Sequence, residues 1–384
     1  MVKSLKHAPK LDSIGPRSLI GNDNDKISII IPARNEEKYI AKCLDSLLKQ
    51  DYPSFEIIVI NDSSEDGTWN VIEKYAHNYK ESIMAVNADP KPEGWAGKSW
   101  ACYQGFLKAT GNILMFTDAD TIHSQYVLLL AIKYLTEQKL DVLTLIPRLV
   151  CEDIWTRIAL PLIWTISYVR YSPLRANDPK NKTGYLFGSF FMINRKVYEA
   201  VGTHKRVKNE IVEDGALGGI LKKSQFRLNV VRGERFVDAR WAQDFNTLWH
   251  GLRRLMIPLY HQDKAEAYSI TIATFFLLLL PFVLLPFSAV LFSLHDYYNN
   301  NRKDLLPWSQ LLFYFDSMII ALVFLSSVVQ LKNILFYSSF YSLGSWLASI
   351  VISLAFISSI IDARKKETVM WKGRTYTISQ SKLS

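Results

Sequence analysis

Two pairs of acidic residues carry the chemistry that can be read first. "FTDAD" places Asp118 and Asp120 two positions apart, directly after the apolar run "ILMF". "IVEDGALGG" places Glu213 beside Asp214 at an apolar helix start. Two carboxylates with no basic neighbour repel each other, and a divalent cation is the simplest compensation. Hard oxygen ligands favour Mg²⁺ or Mn²⁺, held by one or two carboxylates together with phosphate oxygens. Asp118 and Asp120 are therefore read as metal ligands. An isolated D-x-D also fits a solvated turn in which Asp118 caps the following "HSQYVLLLAIKYL". Glu213 and Asp214 could equally be acidic residues stabilising a helix N-terminus by a fraction of a kcal/mol. Lys98, in "GWAGKSW", lies on a loop with Gly and Trp, either beside a site or simply on the surface.

The elements around these residues predict where they stand. "ISIIIPA" (27–33) is a continuous β-branched run closed by Pro, suited to a strand buried on both faces. Ile40, Leu44, Leu47 and Leu48 then recur at helical spacing, followed by the strand "FEIIVIN" and the helix "WNVIEKYAHNY". This rhythm predicts an α/β domain with a mostly parallel sheet and helices on both faces. Ligands bind such sheets at the carboxyl ends of the strands, and "ARNEE", "NDSSEDGT" and "DAD" all fall there.

The last third of the 384 residues is different. Apolar segments at 268–294, 311–331 and 336–361 each reach the roughly 20 residues a crossing helix needs. The expected organisation is a polar tail (1–26), a cytoplasmic catalytic domain with interfacial helices (27–260), a transmembrane region (261–361) and a basic tail (362–384). Residues 1–26 lack the apolar core of a signal peptide. Cys43, Cys102 and Cys151 lack ligand spacing and read as reduced thiols. No nucleic-acid partner is expected.

"IIIPARNEEKYIAKCLDSLLKQ", "EIIVINDSSEDGT", "GWAGKSWACYQG" and "FTDAD" resemble, in order and spacing, the family 2 glycosyltransferases with a GT-A nucleotide-diphospho-sugar domain. "GSFFMINRKVYEAVGTHK", "IVEDGALG" and "WKGRTYTIS" are similar, more narrowly, to membrane-bound enzymes that glycosylate carotenoid acids, hopanoids or related lipids. The resemblance covers about residues 27–260 and the tail. It implies that Pro32, Ala33, Asn35, Glu36 and Asp62 hold the base and ribose of the donor, and that Lys98 lies near its diphosphate with Asp118. It also implies that Asp214 is the general base, with Glu213 in reserve. The usual D-D-G-S is "NDSS" here, so Asn61 and Ser63 depart from the pattern and leave the base open. "DFNTLWHGLRRL" loosely matches a Q-x-x-R-W segment, which would set Trp249 against the acceptor and Arg253 or Arg254 against the diphosphate. An amphipathic helix on the membrane is the competing reading. "DIWTRIALPLIWTISYVRY" (153–171) also looks interfacial, and too interrupted to span. The expected activity is inverting sugar transfer from a UDP-sugar to a membrane lipid. A processive polysaccharide synthase and an inactive nucleotide-sugar-binding protein are the alternatives.

Two topological signals conflict. Three crossings would leave the tail outside, yet it carries Arg364, Lys365, Lys366, Lys372, Arg374 and Lys382, a bias that favours the cytoplasmic side. One segment is therefore expected to enter and leave on the same face. The segment holding Asp316 is the weakest crosser, and the first, with Pro281 and Pro286, is next. "WKGRTY" is expected to pack near the catalytic domain.

Overall fold

The computed structural model describes residues 7–13, 25–298, 308–365 and 368–377. Most of the polar 1–26 tail, the connection between the first two apolar segments, and Lys366 and Lys382 of the basic tail lie outside the described residues. The chain packs as two compact units. The first holds Met1–Val150, Ser167–Arg240 and Lys372–Tyr376, and the second Cys151–Ile166, Trp241–Trp371 and Thr377–Ser384. Residues 151–166 and 241–260, expected in the catalytic domain, thus belong to the apolar unit.

The strands in chain order are β1 (Ile27–Ala33), β2 (Phe55–Asn61), β3 (Ile83–Asn87), β4 (Ile113–Phe116), β5 (Ile122–His123), β6 (Val142–Ile146), β7 (Arg148–Leu149), β8 (Phe191–Asn194), β9 (Leu228–Arg232), β10 (Val237–Ala239) and the C-terminal pair β11 (Thr368–Trp371) and β12 (Arg374–Thr377). Seven of them form one sheet in the order β3-β2-β1-β4-β8-β6-β9, and β5, β10 and β7 form a smaller one. Only β8 runs against its neighbours in the large sheet, antiparallel to both β4 and β6. Strand alternation gives that sheet two buried faces. Ile29, Ile31, Ile57, Val59 and Met115 join the core that includes Ile40, Leu44 and Leu47 of the helix Ile40–Leu48. On the other face, the helix Gly97–Lys108 lies so close that a Cβ on Gly105 would come within 2.5 Å of Ile30 Cγ2. The chain steps from β1 to β2 on one side, while β4 joins β1 on the other. This reversal is a topological switch point, where open α/β sheets bind ligands, and "ARNEE" and "DAD" emerge at the carboxyl ends of β1 and β4 beside it.

In the second unit, Asp244 caps the helix Phe245–Gln262 in a capping box with Thr247. Among the described residues, three helices are long and apolar enough to cross a membrane: Lys264–His295, Trp308–Leu335 and Ser339–Lys365. The segment at 153–171 forms one continuous helix, Ile154–Arg170, through Pro161. Much of it is buried, including Leu160, Leu162 and Trp164.

Candidate active site

The two acidic pairs, far apart in sequence, meet through one lysine. Lys98 Nζ lies 2.7 Å from Asp118 Oδ1 and 2.8 Å from Glu213 Oε1. Lys98 stands in the first turn of its helix, where a positive charge opposes the helix dipole, and these carboxylates offset that penalty. Glu213 and Asp214 open the helix Glu213–Lys223, where the dipole favours them. Gly188 N donates to Asp214 Oδ2 at 2.7 Å, and Gly215 N donates to Asp214 Oδ1 at 2.7 Å. A Cβ on Gly188 would fall 2.8 Å from Lys98 Nζ, 2.9 Å from Asp214 Oδ2 and 3.2 Å from Asp118 Oδ2. Any side chain there would fill the centre of the cluster. Gly188 escapes sequence reading because nothing in "LFGSFF" separates a site glycine from a turn glycine.

Burial raises the Glu213 carboxyl to about 7, with Lys98 pulling the other way. Burial also works against the charged Lys98, but Asp118, Glu213 and Asp214 outweigh it and hold the amine well above its ordinary range. Asp120 is pushed up to about 8, first by burial and then by the charges of Glu36 and Asp118. Burial is the first cause at both carboxyls, and a positive charge brought beside them would oppose it. Among the described residues no three or more His, Cys, Asp or Glu gather as a metal group. Arg240 donates from Nη1 to the Asp120 carbonyl at 3.0 Å and lies 4.7 Å over the Tyr39 ring. Arg240 had no signal in the sequence.

The residues expected to hold the donor base line the ends of β1 and β2. Ala33, next to Pro32 on β1, accepts from Asp62 N at 2.8 Å. Asn35 takes a left-handed backbone (φ 54°) and its side chain accepts from Glu65 N at 2.8 Å. Asn61 donates to the Asn87 side chain at 2.8 Å, tying β2 to β3. Ser63 stands at φ 53°, a conformation that suits the glycine of D-D-G-S better than a serine.

The C-terminal tail reaches this same place. Lys372 pairs with Glu36 and donates to the Arg34 carbonyl at 3.0 Å, and Arg374 Nη1 sits 2.6 Å from Asp62 Oδ2. Tyr376 is buried. "KGRTY" therefore does pack on the first unit, as expected. Sequence reading placed this segment near the catalytic domain but gave Lys372 and Arg374 no partners there. Trp249, Arg253 and Arg254 belong to the second unit. Trp249 stacks on Phe245 with ring centroids 6.2 Å apart, and Arg253 pairs with Asp362.

A mixed sheet with acidic and basic groups gathered at the carboxyl ends of its strands is the architecture of a GT-A glycosyltransferase domain. Residues 28–202 match the model of the family described as Glycosyl transferase family 2. The chain is 32% identical over 234 residues to a 4,4'-diaponeurosporenoate glycosyltransferase of Staphylococcus aureus strain USA300, an alignment covering 60% of each chain. The counterpart from strain MRSA252 is 32% identical over 236 residues, again over 60% of each. The chain thus spans about 60% of the length of the curated relatives it matches. Among solved structures, a mannosyltransferase of Pyrobaculum calidifontis in complex with GDP-Man and Mn²⁺ aligns over 90% of both chains with a TM-score of 0.51 at 17% identity, a likeness of fold.

Proposed function

We propose that the protein is an inverting glycosyltransferase that moves a sugar from a nucleotide-diphospho-sugar, read here as a UDP-sugar, to a membrane lipid. The observation that carries this is the meeting of Asp118, Glu213 and Asp214 around Lys98 and Gly188 at the carboxyl edge of the sheet. The relatives are named for a diaponeurosporenoate, which favours an acidic carotenoid-type acceptor.

In this reading Asp118 and Asp120 hold Mg²⁺ or Mn²⁺, which when bound supplies positive charge to the donor diphosphate. Lys98 offers an ammonium to the same developing charge, already positioned by its two carboxylates. The acceptor oxygen bonds to the anomeric carbon from the face opposite the diphosphate. The old carbon–oxygen bond breaks, and its electron pair leaves with the diphosphate. Asp214 is better placed than Glu213 to meet the acceptor, because Glu213 is buried at 4% exposure and engaged by Lys98. It takes the proton of a hydroxyl acceptor, or orients an acceptor that is already a carboxylate. Glu36, Asp62, Asn35, Pro32 and Ala33 form the base and ribose end. Trp249, Arg253 and Arg254 are assigned to the membrane-side helix rather than to the diphosphate. The first unit lies in the cytoplasm, where nucleotide sugars are made.

Asp214→Asn tests the assignment. With a panel of labelled UDP-sugars and extracted lipids, transfer by the variant should fall about 10²-fold in kcat while nucleotide affinity holds, because a base acts on the acceptor in the transition state. Equal loss of nucleotide binding would make Asp214 structural. Near-normal kcat would favour Glu213 as the base, or a carboxylate acceptor that needs none.

A further inference from the structure

The last of the three apolar helices has both ends tied to chain segments that run within a few residues into the first unit. At its start, Arg157 donates to Tyr341 Oη at 2.7 Å and lies over the rings of Tyr337 and Tyr341, 5.8 and 5.2 Å from their centroids. Cys151 N donates to Tyr337 Oη at 3.0 Å. Ile158 packs so tightly under Gly344 that a Cβ there would come within 2.4 Å of it. Residues 151–158 follow β7 directly, and β7 belongs to the first unit's small sheet.

At its far end, Asp362 pairs with Arg253 of the helix Phe245–Gln262, which packs along it. Only seven residues then lead from Lys365 to Lys372, which pairs with Glu36 of the first unit. Fully extended, seven residues reach at most about 25 Å. The hydrocarbon core is about 30 Å thick. The end of this helix cannot therefore lie across the membrane from the first unit. If its start did, Arg157 would be drawn into hydrocarbon at a cost of several kcal/mol.

We propose that the helix Ser345–Ala363 does not cross the membrane but lies along it on the first unit's side. Its exposed face, with Leu343 just before it and Trp346, Leu354 and Ile361 on it, enters the boundary between headgroups and acyl chains of that leaflet. Ala348, Ile352 and Ala355 on the opposite face are fully buried against protein. Half of its apolar window is buried, against 11% and 22% for the helices Lys264–His295 and Trp308–Leu335. Those two cross and return, so the basic tail ends on the side from which the first helix started. Asp316, at 3% exposure, faces protein rather than lipid, which is how a crossing helix carries a carboxyl. The segment expected to be the weakest crosser is thus a true one, and the last segment is the exception.

The test uses the full chain in cells, whose native cysteines are all buried. W308C, N333C and K365C are labelled with a membrane-impermeant maleimide before and after permeabilisation. N333C and K365C should react alike, only after permeabilisation, and W308C, at an 88% exposed position, should react in intact cells. Labelling of K365C but not N333C in intact cells would show a third crossing and overturn the proposal. Spin labels at L343C, L354C and I361C, in liposomes of phosphatidylethanolamine and phosphatidylglycerol, report depth by oxygen and nickel-chelate accessibility. A common shallow depth is expected. A deep L354C between two shallow neighbours would mean a crossing, and protection from both probes would mean that protein covers this face; either result overturns the proposal.

Discussion

The two ends of the candidate site solve the same charge problem with different parts of the chain. At the transfer end, Asp118 and Glu213 are balanced by Lys98, which rises from a helix packed directly on β1. At the base end, Glu36 and Asp62 are balanced by Lys372 and Arg374, which follow the last apolar helix in the chain. The first arrangement is built into the sheet and cannot be withdrawn without unpacking it. The second is held by a short segment of tail and could be exchanged for a ligand. A donor diphosphate brought to four carboxylates would be repelled, so the tail's cations should assist donor binding.

The largest effect should come from the acidic pair proposed to hold a metal at the transfer end. Asp120→Asn removes a carboxylate that would hold the cation, and transfer should fall to background, as it should on chelation with EDTA. Wild-type rates under both conditions would remove the metal from this end of the comparison.

The burial beneath Lys98 has a pH signature. His204 is buried beneath it, 2.5 Å from Tyr198 Oη and against the Phe116 ring. Burial, then the charge of Lys98, pushes its pKa down to about 3. A folded pKa below the unfolded value of about 6.5 contributes stability above pH 6.5 that is lost as pH falls toward 3, with a slope of up to about 1.4 kcal/mol per pH unit. Denaturation midpoints measured across this range should show the loss, and His204→Gln should flatten it. An unchanged slope would place the titrating group elsewhere.

At the base end the effect is smaller and of another kind. Replacing Lys372 and Arg374 together by Gln should weaken UDP or GDP binding about tenfold, through loss of charge-assisted contacts, with kcat nearly unchanged. Tighter binding would show that the tail blocks the donor instead, and the two ends would then differ in purpose as well as origin. Smallest of all, Ser63→Gly should raise stability by up to about 1 kcal/mol by relieving the left-handed serine. No gain in the denaturation midpoint would show that the site's hydrogen bonds already offset that strain.

Much of this was legible because it is local. Asp118 and Asp120 announce themselves by following "ILMF", since an apolar run must end where the chain reaches solvent. Ile29 and Ile31 against Ile30 follow from the two-residue period of a strand. The direction of β8 was not legible, because "FMIN" reads alike in either orientation and its pairing with β4 and β6 decides.

The sequence by itself determined the α/β domain, the acidic pairs at its strand ends and the apolar character of the last third. These depend on residue type and on spacing within one element. The tertiary structure alone decided that Lys98 serves Asp118 and Glu213 together, that Gly188 must lack a side chain, and that the tail's cations lie on Glu36 and Asp62. It also decided that an apolar helix long enough to span is tied down at both ends. Each of these turns on distances between residues remote in the chain, and Coulomb and contact energies depend on such distances, not on separation in sequence.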